Sequence, residues 1–158
     1  MKKLFIALLI PMLASGFILN AQKIIVEKGS AGAVKGQKML ATFDYSNMAV
    51  GKFDKEDDYI AKKTDDYNKD EAGKGDKWAV SWKADRERRY EAKFEELFNK
   101  YGEKAGVSAF RSATDAKLEV NIHTIFTEPG FNIGVMRKPA YIDATVTFKD
   151  LASGQEFA

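Results

Sequence analysis

Cysteine is absent from the 158 residues of this sequence. The absence excludes disulfide bonds, a thiol nucleophile, cysteine-ligated metal and the lipid-carrying cysteine of an exported lipoprotein. Histidine is nearly absent too, since His123 is the only one. A lone histidine lacks the partners that metal binding and nucleophilic catalysis require, so we expect His123 to be a surface residue. The sequence therefore predicts neither a metal site nor a cofactor.

Common catalytic motifs are missing as well. The sequence contains no Gly-x-Ser-x-Gly, no His-Glu-x-x-His and no Gly-x-Gly-x-x-Gly. The glycine-rich stretch 29–36 is not a phosphate-binding loop, because Gln37 stands where the motif needs lysine. We interpret this stretch as a flexible loop, and we predict no catalytic residue from motifs.

A calcium loop is suggested by Asp66, Asn68 and Asp70, which match the first three ligand positions of an EF-hand. The rest of the motif fails, because Glu71 replaces the required glycine and Lys77 replaces the bidentate glutamate. The surrounding stretch 54–71 is dense in charges of both signs. We interpret it as a solvated surface helix.

Long hydrophobic runs are confined to the first 21 residues. Two lysines precede an apolar run that continues to Leu19, and Ala21 offers a small residue for cleavage. This pattern is typical of a secretory signal peptide. A membrane anchor is the alternative, but Pro11 and Gly16 interrupt a run that is short for a bilayer span. We therefore expect a periplasmic or secreted protein without a stable membrane span after cleavage.

The charge balance changes when residues 1–21 are removed. The full sequence has 25 basic and 23 acidic residues, and the signal segment contains two lysines and no acidic residue. The remaining 23 basic residues equal the 23 acidic ones, so net charge gives no support for a nucleic-acid partner. The length of 22–158 is typical of a single domain.

Three stretches show the apolar-polar alternation of half-buried strands: 38–45, 118–127 and 140–149. The last two are neighbours in the chain and are predicted to pair antiparallel. A stripe of apolar residues at helical spacing follows Asp76 and ends before Gly102. Together these patterns predict an α+β fold: a mainly antiparallel sheet with a long amphipathic helix, 78–101, packed on one face.

Two tryptophans near the start of that helix have a second interpretation. Trp78 and Trp82 lie one turn apart and are followed by three arginines, an arrangement that also suits a carbohydrate or nucleic-acid platform. Core packing is favoured, because both residues continue the apolar stripe of the helix.

The connection from Glu128 to Pro139 is too long for a two-residue turn and carries apolar residues beside basic ones. We predict a ligand- or partner-binding surface there, because loops on a rigid sheet often carry binding residues. The predicted contact residues are Phe131, Ile133, Met136 and Arg137. In the alternative interpretation the apolar residues fold back over the sheet edge or extend the hairpin.

The signal peptide and the segments 38–45, 77–101 and 126–140 together resemble an uncharacterised family of exported proteins from Gram-negative bacteria. The resemblance covers most of the mature chain and implies no activity and no functional residue. It implies a further strand and a C-terminal helix. Because 156–158 has the pattern of a strand that is just beginning, we expect the natural protein to extend beyond Ala158.

These features favour an exported cell-envelope protein that acts as a non-enzymatic binding or structural module, with an envelope protein or glycan as its partner. The alternative is a hydrolase that uses dispersed carboxylates on envelope or extracellular glycans. Two carboxylates that converge in one cleft would favour the hydrolase, whereas an exposed apolar loop without such a cleft would favour binding.

Overall fold

The computed structural model describes residue 25, residue 29 and residues 31–158. The predicted signal peptide, 1–21, lies outside these residues. The helices and strands are, in chain order, a 3₁₀ turn at Ala31–Val34, β1 Lys38–Asp44, β2 Ala49–Val50, α1 Glu56–Asp70, α2 Lys74–Asp85, a π-helical segment Arg86–Glu91, α3 Ala92–Gly102, a 3₁₀ turn at Glu103–Ala105, β3 Ser108–Phe110, β4 Leu118–Glu128, β5 Phe131–Asn132, β6 Arg137–Lys138 and β7 Tyr141–Asp150.

Strand β4 is the centre of a five-stranded sheet. Strands β1 and β2 pair with one edge of β4, β7 pairs with its other edge, and β3 pairs with the free edge of β1. Every pairing except β4–β7 is parallel. The α+β prediction is confirmed, but the predicted mainly antiparallel sheet is wrong, because the main sheet is parallel.

The parallel direction follows from the connection between β1 and β3. All three helices lie between these two strands, so the chain crosses over and returns in the same direction. Among the strands that pair with each other in this sheet, only β4 and β7 are connected without an intervening helix, and they pair antiparallel from Leu118↔Asp150 to Glu128↔Tyr141. Apolar-polar alternation marks a strand but carries no information about the direction of its neighbour, which explains the error.

The hydrophobic core lies between α3 and the sheet. Met39, Ala41, Val120 and Ile122 are buried on one face of β1 and β4, and Phe94 of α3 packs against them. A second cluster joins α1, α2 and β2 through side chains that include Tyr59, Trp78 and Trp82. The interpretation of both tryptophans as packing residues is therefore confirmed.

The predicted helix 78–101 lies within a longer helical run, from Lys74 to Gly102, that contains the π-helical segment Arg86–Glu91. A π-helical turn widens the helix locally and is found frequently at functional sites. The predicted surface helix at 54–71 is present as α1. Within α1, Asn68 Oδ1 accepts a hydrogen bond of 2.7 Å from the Gly75 amide, so this region is a helix–helix contact and not a calcium loop.

The sheet face opposite α3 carries a polar network. Thr42 Oγ1 donates to Glu119 Oε1 at 2.6 Å, Asn121 Nδ2 donates to Thr42 Oγ1 at 2.9 Å, and Lys149 Nζ lies 3.0 Å from Glu119 Oε2. The Thr42 hydrogen bond, followed by the contacts with Lys149, holds the pKa of Glu119 below its usual value. This nearly buried carboxylate therefore links three strands, β1, β4 and β7, in its charged form.

Replacing Glu119 with glutamine is expected to lower the free energy of unfolding by about 1–3 kcal/mol at pH 7, because hydrogen bonds to a charged acceptor are lost. A carboxyl group whose pKa is lower in the folded than in the unfolded chain stabilises the fold above its unfolded pKa and loses that effect as the pH falls through its folded pKa. The difference between the two proteins should therefore begin to shrink as the pH falls below 4.5, the ordinary pKa of glutamate, and disappear below the lower pKa of Glu119 in the folded chain. Urea unfolding at several pH values measures this difference. A difference that does not depend on pH would contradict the charged state of Glu119 in the network.

Candidate functional site

A pocket of about 590 Å³ lies between the helical run and the far half of β4. Helix α2 and the π-helical segment form one side, and β4 with the start of β7 forms the other. The volume is within the range of small-molecule sites, roughly 300–1,000 Å³. Six of the thirteen lining residues are apolar or aromatic and seven are polar or charged, but most of the lining surface is apolar.

A bulge in β4 shapes the sheet side of this pocket. The register with β7 shifts between Thr124 and Phe126, so Ile125 is an extra residue without a partner in the ladder. Residues three apart on a regular strand face opposite sides of the sheet, but Thr124 and Thr127 both line the pocket. The bulge therefore turns a second threonine toward the helices, and bulges of this kind are common beside active sites.

Thr124 carries an unpaired polar atom beside the pocket. Its side chain is 1% exposed, and within the described residues its Oγ1 is the one buried side-chain nitrogen or oxygen that lacks a hydrogen-bond partner. An unpaired buried hydroxyl costs roughly 1–3 kcal/mol, so such groups call for a specific reason. Oγ1 is itself covered by neighbouring atoms, so a ligand in the pocket would reach it only after those atoms move. The Thr127 hydroxyl, in contrast, is 3.3 Å from Met48 Sδ.

The helix side of the pocket is held by a network of aromatic and charged groups. Trp82 Nε1 donates to Glu56 Oε1 at 2.7 Å, and Arg86 forms an ion pair with Glu56 Oε2. The Arg86 guanidinium stacks over the Tyr45 ring at 4.2 Å from its centroid, a cation–π arrangement. Each of these groups therefore contacts the next, which joins α1, α2 and the π-helical segment to Tyr45 along this wall.

Tyr45 joins the π-helical segment to the sheet. Its hydroxyl donates to Glu91 Oε1 at 3.1 Å, and its ring meets that of Tyr90 edge-on, with 6.3 Å between centroids. Burial, followed by the charge of Glu91, raises the pKa of Tyr45 well above its usual value. The hydroxyl therefore remains protonated and serves as a hydrogen-bond donor to the segment.

Cationic side chains mark the exposed border of the pocket. Arg89 is 3.1 Å from Asp85, and Lys93 is 2.7 Å from Glu96, and all four side chains are substantially exposed. Surface ion pairs of this kind contribute little to stability and exchange partners readily. Arg89 and Lys93 are therefore available to a negatively charged group at the pocket entrance.

Two carboxylates line the pocket, which is the feature on which the hydrolase alternative depends. Glu56 is occupied by Trp82 and Arg86, and Asp85 by Arg89. Glycoside hydrolysis needs one protonated carboxyl group and a second one that is free to act on water or sugar. Because Glu56 is held by Trp82 and Arg86, and Asp85 is only in an exposed ion pair, the pocket offers at most one free carboxylate, which suits ligand binding better than hydrolysis.

The structure places the predicted contact residues away from the pocket, on a separate two-stranded hairpin formed by β5 and β6. The exposed fractions are 46% for Phe131, 62% for Ile133 and 57% for Met136, and Arg137 is exposed as well. These apolar side chains therefore do not fold back over the sheet. The four predicted residues lie together on one protruding feature, the β5–β6 hairpin.

The base of the β5–β6 hairpin is fixed by Glu128, which is 6% exposed. Its carboxylate pairs with Lys138 and accepts a 3.1 Å hydrogen bond from the Gly130 amide, and the Lys138 contact is the main reason why the pKa of Glu128 is lowered. Gly130 has φ +67°, and a Cβ there would lie 2.7 Å from Lys138 O. Only glycine fits this close approach, so the hairpin leaves the sheet at a fixed angle.

Three further expectations from the sequence concern His123, metal binding and a membrane span. His123 lies on the polar sheet face, with Nε2 at 2.9 Å from the Ser46 carbonyl oxygen. Within residues 31–158 no group of three or more histidine, aspartate and glutamate side chains is arranged to hold a metal ion. In the same part of the chain, no helix is long and apolar enough to cross a bilayer.

The sequence pattern does not single out the pocket residues Tyr45 and Thr124. Trp82, Arg86 and Arg89 have a sequence signal, because two tryptophans one turn apart followed by arginines suggest a stacking platform. The bulge that brings Thr127 beside Thr124 has no glycine or other local marker. Alternation alone places these two threonines on opposite faces.

Comparisons with protein families, curated proteins and solved structures found no match to this chain. The resemblance to exported proteins of Gram-negative bacteria therefore stays a prediction from the sequence. The fold and the pocket geometry carry the functional argument.

Proposed function

We propose that this protein is an exported, non-enzymatic binding module of the cell envelope, located in the periplasm or outside the cell, and that the pocket is its ligand site. The observation that carries the proposal is a pocket of about 590 Å³ whose lining surface is mostly apolar, beside the unpaired, buried Thr124 hydroxyl. Sites for small molecules combine an apolar, aromatic lining with a few placed polar groups. The export part rests on the predicted signal peptide.

The lining defines the class of ligand. Trp82, Tyr45 and Ile142 offer apolar surface, Thr124 places one unpaired hydroxyl in the wall, and Arg89 with Lys93 offers positive charge at the border. We expect a small amphipathic molecule with an apolar body and an anionic or polar head. A glycan fits less well, because a sugar needs many hydrogen-bond partners in addition to an aromatic face.

Replacing Ala140 with tryptophan is expected to block the pocket. Ala140 lines the pocket and is exposed, so a larger side chain fills the space without disturbing the core. The probe is 1-anilinonaphthalene-8-sulfonate, an amphipathic anion whose fluorescence rises in apolar surroundings. The dissociation constant of the probe should rise on the order of tenfold or more, which corresponds to a loss of about 1.4 kcal/mol or more in binding free energy.

Ala152→Trp is the matched control, because Ala152 is exposed in the turn after β7 and does not line the pocket. It should bind the probe like the natural chain, and both variants should keep the melting temperature. Equal probe affinity in the Ala140→Trp variant, or no saturable binding by the natural chain, would refute the proposal.

The hydrolase alternative is favoured by one observation, the presence of Glu56 and Asp85 at the same pocket. If the purified chain released reducing sugar from peptidoglycan or from an extracellular glycan, Glu56→Gln and Asp85→Asn would be the deciding variants. If both variants fold but no longer release reducing sugar, glycan hydrolysis would take the place of ligand binding as the proposed function. We expect no release from the natural chain.

A further inference from the structure

We infer that the tip of the β5–β6 hairpin is a docking surface for an anionic lipid bilayer. The tip is formed by Phe131 and by the four residues 133–136. This role is separate from the pocket, which lies between the helical run and the sheet. The bilayer contact would hold the protein at a membrane surface without a spanning helix.

The tip is apolar and fully presented to its surroundings. Val135 is 93% exposed, Ile133 62%, Met136 57% and Phe131 46%. The remaining tip residue is Gly134, so no polar side chain interrupts the stretch 133–136. Contiguous apolar surface of this kind marks protein or membrane contact sites.

The charged residues next to the tip are basic. Residues 129–138 contain Arg137 and Lys138 and no acidic residue. The neighbouring acid, Glu128, is buried and paired with Lys138, and among residues 31–158 no ion pair is formed by Arg137. Anionic lipid headgroups attract basic residues that stand next to inserted apolar groups.

The hairpin is rigid enough to insert without a large ordering cost. Ile133 N donates to Met136 O at 3.0 Å, and Asn132 Oδ1 accepts from the Gly134 amide at 3.2 Å. The closed turn holds these apolar side chains in exposed positions, because the two-stranded hairpin is too small to bury them. At the base, Glu128 fixes the hairpin to the sheet.

The shape of the tip favours a bilayer over a protein partner. Protein–protein contacts concentrate their binding energy in a central anchor surrounded by a rim that excludes water. Here the most exposed side chain, Val135, stands at the end of a narrow projection, and the basic residues lie behind it on β6. A projection with an apolar end and a cationic base matches the layering of a bilayer interface, where acyl chains lie beneath anionic headgroups.

The test is co-sedimentation with phosphatidylcholine vesicles prepared with and without phosphatidylglycerol. The natural chain should bind the vesicles that contain phosphatidylglycerol, and added salt should weaken this binding. The double variant Val135→Ser and Met136→Ser should reduce the bound fraction on the order of tenfold with an unchanged melting temperature, because both side chains are exposed. Arg137→Gln should lower the affinity and the salt dependence together.

Leu151→Ser is the matched control, since Leu151 is an exposed apolar residue in the turn after β7, and it should bind like the natural chain. The double variant should keep the saturable binding of 1-anilinonaphthalene-8-sulfonate by the pocket, which separates this inference from the pocket proposal. Absence of vesicle binding by the natural chain would overturn the inference and favour a protein partner. Equal binding of the double variant, or binding that ignores phosphatidylglycerol, would overturn it as well.

Discussion

Replacing Ile122 with alanine is expected to lower the free energy of unfolding by about 2–5 kcal/mol. Ile122 is 1% exposed and lies in the core cluster beneath Phe94 of α3. Removing its branched side chain leaves a cavity in the part of the core that joins β1, β4 and α3, and the surrounding strands can relax only partly. Equilibrium unfolding in urea measures the loss.

Ile125→Ala is the matched control for this prediction. It removes the same side chain from the same strand, but Ile125 is the bulged residue and is 45% exposed. We expect a loss below about 1 kcal/mol, as is usual for exposed positions. Equal losses for the two variants would mean that the helix-covered face of β4 is not the core.

Replacing Gly75 with alanine is expected to lower the free energy of unfolding by about 3 kcal/mol or more. The buried Gly75 lies in the first turn of α2, where α1 and α2 touch. A Cβ there would lie 2.1 Å from the carbonyl oxygen of Thr64 and 2.7 Å from its carbonyl carbon. Both atoms belong to the backbone of α1, so no side-chain rotation relieves the clash and the two helices must separate. Thermal and urea unfolding measure the loss.

Gly36→Ala separates the clash from a general effect of removing a glycine. Gly36 has φ +74°, and a Cβ there meets nothing within 4 Å. We expect the free energy of unfolding to fall by about 1–2 kcal/mol, which is the cost of a left-handed backbone for alanine. A Gly75→Ala protein as stable as the natural chain would show that the helices do not approach as closely as described.

The sequence predicts elements better than their arrangement. The strands at 38–45, 118–127 and 140–149 and the helix around Phe94 are visible because one face of each is buried, which imposes a period on the apolar residues. The direction of β1 relative to β4 depends on how the chain returns through three helices. No local pattern encodes that path, so the parallel sheet could not be predicted from alternation.

The pocket was hidden for a related reason. It is assembled from Tyr45 after β1, Trp82 on α2, Arg86 on the π-helical segment and Thr124 on β4, which are distant in sequence. Its sheet side depends on the bulge at Ile125, which reverses the expected facing of the residues that follow. The apolar residues of the β5–β6 hairpin are contiguous, so a connection carrying them could be predicted from sequence, although the sequence predicts a loop there and not the two short strands.

Membrane docking and ligand binding would act together in an exported protein. The β5–β6 hairpin leads directly into β7, and Ala140 and Ile142 at that junction line the pocket. A protein held at the bilayer by the hairpin would therefore keep its pocket close to a surface rich in amphipathic molecules. This arrangement would suit a ligand that is exchanged with the membrane.

The most direct test of the central claim is a methyl-detected NMR titration of the natural chain with 1-anilinonaphthalene-8-sulfonate. We predict saturable shifts of the methyl signals of Met48, Thr124, Ala140 and Ile142, which line the pocket. Shifts confined to the hairpin methyl groups, or no saturable shift at Thr124, would contradict the assignment of the pocket as a ligand site.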